Sequence, residues 1–216
     1  MPTKATNPPN IYLIGAQCTG KTTLLAALQA FFSDPNNRTR SEAGAFDPPA
    51  IIPEVVREVM ELEGFSASDI KDTRWQILQR LTLEAQCLAE EKLTDQWYIS
   101  DRSGLDPIIY AQLQETNDAQ AMKESASWAA SQQRMKNSLV ILCEAGNPDW
   151  FKLDTARISH SESHNWHNMH TRYITLLEET DIKFFLLEKS ITKIGERVNF
   201  VIRKFERMYT ETDTSA

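Results

Sequence analysis

The chain has 216 residues, 41% of them hydrophobic and 25% charged, with a net charge of -7, proportions that suit one globular domain with a sizeable core. The acid excess argues against nucleic acid or an anionic membrane as the main partner, because both need a concentrated positive face. Three cysteines without C-x-x-C spacing (Cys18, Cys87 and Cys143) favour a reducing, cytoplasmic setting over a disulfide framework, and no run of about 18 apolar residues exists to span a bilayer.

Residues 1–10 are polar and Pro-rich, which predicts a flexible tail rather than a leader. Ile11 to Ile14, bounded by Gly15, suits a strand buried on both faces. Lys21 to Phe32 carries Leu24, Leu25, Leu28 and Phe32 at helical spacing. Residues 33–49 read as a long surface loop. Ala50 to Pro53 reads as a strand closed by its proline, with Glu54 at the carboxyl end. A long amphipathic helix is expected over Ile70 to Thr94, after the start signal Ser68-Asp69. Trp97 to Ser100 is a strand ending at Asp101, and Pro107 to Gln114 and Ala119 to Arg134 look helical. Ser138 to Cys143 is the clearest buried strand. The polar stretch Asp149 to His170 holds all four histidines and leads into a helix through Leu177. Lys183 to Leu187 is the last strand, and Ile194 to Met208 an amphipathic helix, followed by a flexible tail over 209–216. Strands alternating with helices imply a three-layer α/β domain over 11–208, built on a parallel sheet with right-handed crossovers. Ligands of such sheets bind at the carboxyl ends of the strands, where Gly15, Glu54, Asp101 and Glu144 fall.

The segment Gly15-Ala16-Gln17-Cys18-Thr19-Gly20-Lys21-Thr22 matches G-x-x-x-x-G-K-[ST] between a strand and a helix, the context that a phosphate-binding P-loop requires. Its backbone N–H groups, with Thr23 and the positive helix end behind them, would cradle the phosphates of a nucleoside triphosphate. Lys21 would bridge the β- and γ-phosphates, and the Thr22 hydroxyl would ligate Mg²⁺. A guanine-reading N-K-x-D segment is absent, which favours ATP over GTP. Cys18, inside the loop, is either a small filler or a thiol activated by the helix end.

Four segments in order, GAQCTGKTT, PEVVREV, YISDRSGLDPIIY and NPDWFKLDTAR, resemble the P-loop kinase-type domain of the NadR group. That group includes the ribosylnicotinamide kinase part of the bacterial NAD regulator and eukaryotic P-loop proteins related to the TRP translocation-defect protein. The similarity runs over roughly residues 11 to 205. More distantly, the DRS segment and the strand-end Glu are similar to deoxynucleoside and thymidylate kinases. The resemblance implies a nucleoside/nucleotide-kinase-like fold with a lid at about 147–170. It also implies a kinase that uses ATP and Mg²⁺ on a small hydroxyl-bearing acceptor such as a nucleoside.

Asp101 ends an apolar strand beside the loop, so it is a candidate to join Thr22 on Mg²⁺ or to act as base for the acceptor hydroxyl; the alternative is a helix cap or a partner of Arg102. Arg102 is placed to clamp an acceptor phosphate or the transferring group. Asp106, ahead of Pro107, is an acceptor contact or an N-cap. Glu54 and Arg57 share a helix face that starts at the catalytic edge. Similarity to nucleoside kinases makes Glu54 a base or a ligand of a sugar hydroxyl; the residues alone also allow an i, i+3 ion pair. Asp154 and Arg157 fall in the region resembling the lid, where Arg157 could act as an arginine finger, with Arg172 behind it; the family's turn would have a Gly where this chain reads DTAR.

His160, His164, His167 and His170 drift around a helix, and no cysteine or acid completes a ligand set with them, so lid or solvated histidines are expected rather than zinc. Two rival functions remain open on the sequence: a nucleotide-dependent switch with no acceptor pocket, and a metal-linked regulatory protein. The oligomeric state is not written in the pattern.

Overall fold

The computed structural model describes residues 8–38, 47–66, 74–113, 118–147 and 163–213. Among these residues, five short strands form one sheet: β1 (Ile11–Ile14), β2 (Ala50–Ile52), β3 (Tyr98–Asp101), β4 (Leu139–Cys143) and β5 (Phe185–Leu187). All pairs are parallel, in the order β2-β3-β1-β4-β5. β1 is therefore central, and chain order reverses on its two sides, so a crevice opens beyond its carboxyl end.

Alternate residues of β1 feed different layers, as the two-residue period of a strand requires. Ile11 and Leu13 pack against α1 (Lys21–Ser33) and α9 (Ile194–Asp213), where Phe32 meets Trp97 and Phe205 edge-on. Tyr12 and Ile14 face the other layer, built from α3 (Val55–Glu63), α4 (Arg74–Glu91), α5 (Leu105–Ala111), α7 (Ala126–Lys136) and α8 (Ser163–Glu179). There the hydroxyls of Tyr12 and Tyr98 share a buried 2.6 Å hydrogen bond. This is the expected three-layer α/β arrangement.

Several boundaries differ from the sequence reading. The loop after α1 contains a short helix, α2 (Pro35–Arg38). The helix expected over 119–134 is two, α6 (Asp118–Lys123) and α7, because Ser125 caps the second by accepting from the Trp128 N–H. The helix expected from Ile70 is described from Arg74 on. At the ends, Asn10 is tied in, its carbonyl accepting from Leu139 N and its side chain from Tyr98 N, and α9 runs past Met208 to Asp213. Among the described residues, no helix is long and apolar enough to cross a membrane.

Candidate functional site

The loop between β1 and α1 has a conformation that its glycines permit. Gly15 sits at φ 129°, and a Cβ there would lie 2.6 Å from the carbonyl oxygen of Cys143 on β4, so no side chain fits. Gly20, at φ 76°, turns the chain into α1 and caps it. The loop holds itself together: Thr19 Oγ1 donates to the Ala16 carbonyl at 2.9 Å. Lys21 folds back so that Nζ donates to the carbonyls of Gly15 and Ala16 at 2.8 and 2.6 Å. Burial, and after it the charge of Arg102, lowers the Lys21 pKa from 10.5 to about 8, against the opposing pull of Asp101.

Asp101, at the end of β3, faces the loop. Its Oδ2 accepts from the Thr22 hydroxyl at 2.6 Å, and its Oδ1 is buried without a hydrogen-bond partner. A buried carboxylate oxygen left unsatisfied beside a hydroxyl is a poor structural arrangement and a good hard-cation site. On that test Thr22 and Asp101 fit Mg²⁺.

Arg102 follows at φ 87°, strained for a residue with a side chain. Its N–H donates to Leu13 O at 3.0 Å, and the guanidinium turns away from the sheet to meet two carboxylates. Nε donates to Glu54 Oε1 at 2.6 Å and a terminal nitrogen to Asp106 Oδ1 at 3.1 Å, with the Tyr110 ring 5.6 Å beneath. Burial works to raise the Glu54 pKa, but Arg102 and Arg57 together outweigh it and hold the carboxyl down at about 2.

Two clefts meet here. One runs from the P-loop along Asp101 to Thr192, Ile194 and Arg197. The other lies among α3, α4 and α5 and is walled by residues such as Val55, Met60, Trp75, Leu78 and Tyr110. Gln17, Glu54 and Arg102 line both.

The structure thus brings Lys21, Thr22, Asp101, Arg102 and Glu54 to one place. Arg57 is found in the i, i+3 ion pair with Glu54, Nε to Oε2 at 2.7 Å. Asp106 lines the second cleft; its Oδ2 accepts from the Ser103 N–H and hydroxyl, and its Oδ1 from Arg102 and from Tyr173 on α8. Arg172 bonds Asn168 on its own helix, away from both clefts. Asp154, Arg157, His160, the side chain of His164 and most of the expected lid lie outside the described residues. Among the described residues no three His, Cys, Asp or Glu side chains gather as a metal site.

The sequence reading missed the supports behind the loop. Trp166 on α8 donates from Nε1 to the Gln17 carbonyl at 2.7 Å, and Arg197 on α9 donates to the Thr19 carbonyl at 2.9 Å. Both partners are more than a hundred residues from the loop, and no local pattern marks them.

The model of the AAA domain family matches residues 10–197 of the chain. Three solved structures are similar in fold. A NadR protein in complex with NAD and AMP-PNP is 14% identical with a TM-score of 0.64, over 92% of this chain and 49% of that one. A NadR protein in complex with NR is 16% identical with a TM-score of 0.57, over 83% and 43%. Deoxyadenosine kinase from M. mycoides with bound dATP is 16% identical with a TM-score of 0.60, over 90% and 98%. The chain therefore spans less than half the length of the NadR proteins it matches. No curated protein matches it in sequence.

Proposed function

The chain belongs to the AAA domain family, and from that premise we propose that it is an ATP- and magnesium-dependent kinase for a small hydroxyl-bearing, nucleoside-like acceptor. The observation that carries this reading is the wall of Gln17, Glu54 and Arg102 shared by a phosphate-binding cleft and a largely apolar second cleft. A switch that only binds and releases nucleotide has no use for the second cleft or for a carboxylate at the junction. The fold-level likeness to structures holding AMP-PNP, NR and dATP supports an adenine nucleotide and a nucleoside-like acceptor. The three free cysteines agree with a reducing, cytoplasmic setting.

In this reading the triphosphate lies on the N–H groups of the loop and the start of α1, and Lys21 exchanges the Gly15 and Ala16 carbonyls for β- and γ-phosphate oxygens. Thr22 and Asp101 hold magnesium, which when bound neutralises charge between those phosphates. Glu54 takes the acceptor: it lines both clefts, whereas Asp101 lines the nucleotide cleft. With its pKa near 2, Glu54 is a weak base, suited to accept a hydrogen bond from the acceptor hydroxyl and aim its oxygen. A loose phosphoryl-transfer transition state asks for little more, and positioning supplies the rest. Arg102 brings positive charge to the seam, with Asp106 and Tyr173 as positioning residues behind it and Arg157 of the lid segment as a second cation.

The test is ADP release from ATP and Mg²⁺ with and without a panel of nucleosides, sugars and small alcohols. At least one acceptor should raise the rate by about tenfold or more over basal hydrolysis. Tight, magnesium-dependent ATP binding with no stimulation by any acceptor would favour the switch instead.

A further inference from the structure

The bond from Trp166 Nε1 to the Gln17 carbonyl, 2.7 Å long, joins α8 to the P-loop across 149 residues of chain. What it fixes is a peptide plane. A trans peptide unit is flat, so its C=O and N–H point opposite ways. Gln17 and Cys18 both line the nucleotide cleft, and the indole of Trp166 stands outside it. With the Gln17 oxygen turned out to that indole, the N–H of Cys18 is turned toward the cleft. The plane is set by the backbone rotations on either side of it, and one of these, φ of Cys18, is 56°. That left-handed conformation is unfavourable for a residue with a side chain and persists only where surrounding contacts impose it.

Trp166 shares its helix face with Met169, Tyr173 and Leu177, all buried in one core cluster at helical spacing. Tyr173, two turns further on, donates to Asp106 at 2.6 Å. Asp106 accepts from Arg102, and Arg102 donates to Glu54 where the two clefts meet. A single helix face therefore grips the phosphate loop with one side chain and the acceptor side with another, about 10 Å apart along the axis.

Resting on the kinase reading of the two clefts, we infer that Trp166 is a positioning residue for phosphoryl transfer. Its indole holds the Gln17–Cys18 peptide with the N–H toward the phosphates, and α8, through Trp166 and Tyr173, keeps the cradle in register with the acceptor junction. In the step itself the acceptor oxygen bonds the γ-phosphorus as the bond to the β–γ bridging oxygen breaks. The hydroxyl proton ends on a transferred phosphoryl oxygen, and negative charge grows on the departing ADP. A backbone N–H aimed beforehand stabilises that growing charge more than it stabilises bound ATP. Loss of the tie should cost rate more than affinity.

The test uses the full chain with ATP, Mg²⁺ and whichever acceptor most stimulates ADP release. Trp166→Phe removes the donor and keeps an aromatic ring; Trp166→Met, with its adaptable side chain, is the second variant. In the folded variant kcat should fall by about tenfold or more, with ATP affinity by calorimetry and acceptor KM within about threefold. Met169→Leu disturbs packing on the same face without removing a donor; it should shift the melting temperature and leave kcat within about twofold. Combining Trp166→Phe with Tyr173→Phe should lose less than the product of the two single losses, because one helix sets both ends. Unchanged kcat in folded Trp166→Phe or Trp166→Met, a fall in kcat that Met169→Leu reproduces, or strictly multiplicative losses overturns the inference and leaves the kinase reading standing. So does failure of both Trp166 variants to fold, which makes the indole a core residue only. No acceptor-dependent turnover in the unaltered protein sinks the kinase reading, and this inference with it.

Discussion

The Thr22 hydroxyl and the Asp101 carboxylate, 79 residues apart in the chain, meet in a 2.6 Å hydrogen bond at the carboxyl edge of the sheet. The bond uses one carboxylate oxygen and leaves the other buried without a partner. A carboxylate placed this way serves a cation better than it serves folding.

Asp101→Asn should therefore preserve the shape of the site and the bond's geometry while removing the charge. The magnesium dependence of ATP affinity, measured by calorimetry with and without chelator, should largely vanish. Acceptor-dependent kcat should fall by at least about 10². An unchanged rate and an unchanged magnesium dependence together would take Asp101 out of the site.

Lys21→Ala should leave the fold intact and weaken ATP binding strongly, since the residue is a phosphate ligand held by loop carbonyls. The unaltered protein carries a further signature. With its pKa lowered to about 8, Lys21 is partly neutral near pH 8 before ATP binds, and the phosphates favour its charged form. Binding near pH 8 should then take up protons, seen as a buffer-dependent heat that Lys21→Ala loses. Identical heats in buffers of different ionisation enthalpy would contradict this.

Glu54→Gln should abolish acceptor-dependent turnover while ATP affinity changes little. The same carboxylate gives a stability signature of determined sign. Its folded pKa lies near 2 against an ordinary value of 4.5, so its pairing with Arg102 and Arg57 stabilises the fold fully above about pH 4.5 and is lost as pH falls toward 2. In denaturant titrations, the unaltered protein should lose its advantage over Glu54→Gln across that acid window. A constant difference between pH 6 and pH 3 would argue against the pairing.

Tyr173→Phe removes only the hydroxyl that donates to Asp106 at 2.6 Å. Asp106 should then hold Arg102 less firmly, so kcat should drop by about tenfold with ATP affinity within about twofold. Melting should occur a few degrees lower, as expected for a buried hydrogen bond to a charged group worth about 1.5–3 kcal/mol. A loss of stability with full kcat would leave Tyr173 a structural residue only.

The sequence by itself determined the layered α/β class, the P-loop and the strand-end positions of Glu54 and Asp101. Those features are written within a few residues of themselves: a glycine spacing, an apolar run, a helical period. It could not decide that β3 rather than β2 lies beside β1, which is what sets Thr22 against Asp101. Nor could it show that Asp106 would take Arg102 and Tyr173, the latter 67 residues away, as partners. The Ser125 cap that splits α6 from α7 was visible as a residue type, but its helix-like surroundings masked it. Trp166 and Arg197, which hold the loop from α8 and α9, carry no local signal. Their roles arise from contacts between segments far apart in the chain, and only the strand order and the burial that accompanies it determine which of those segments touch.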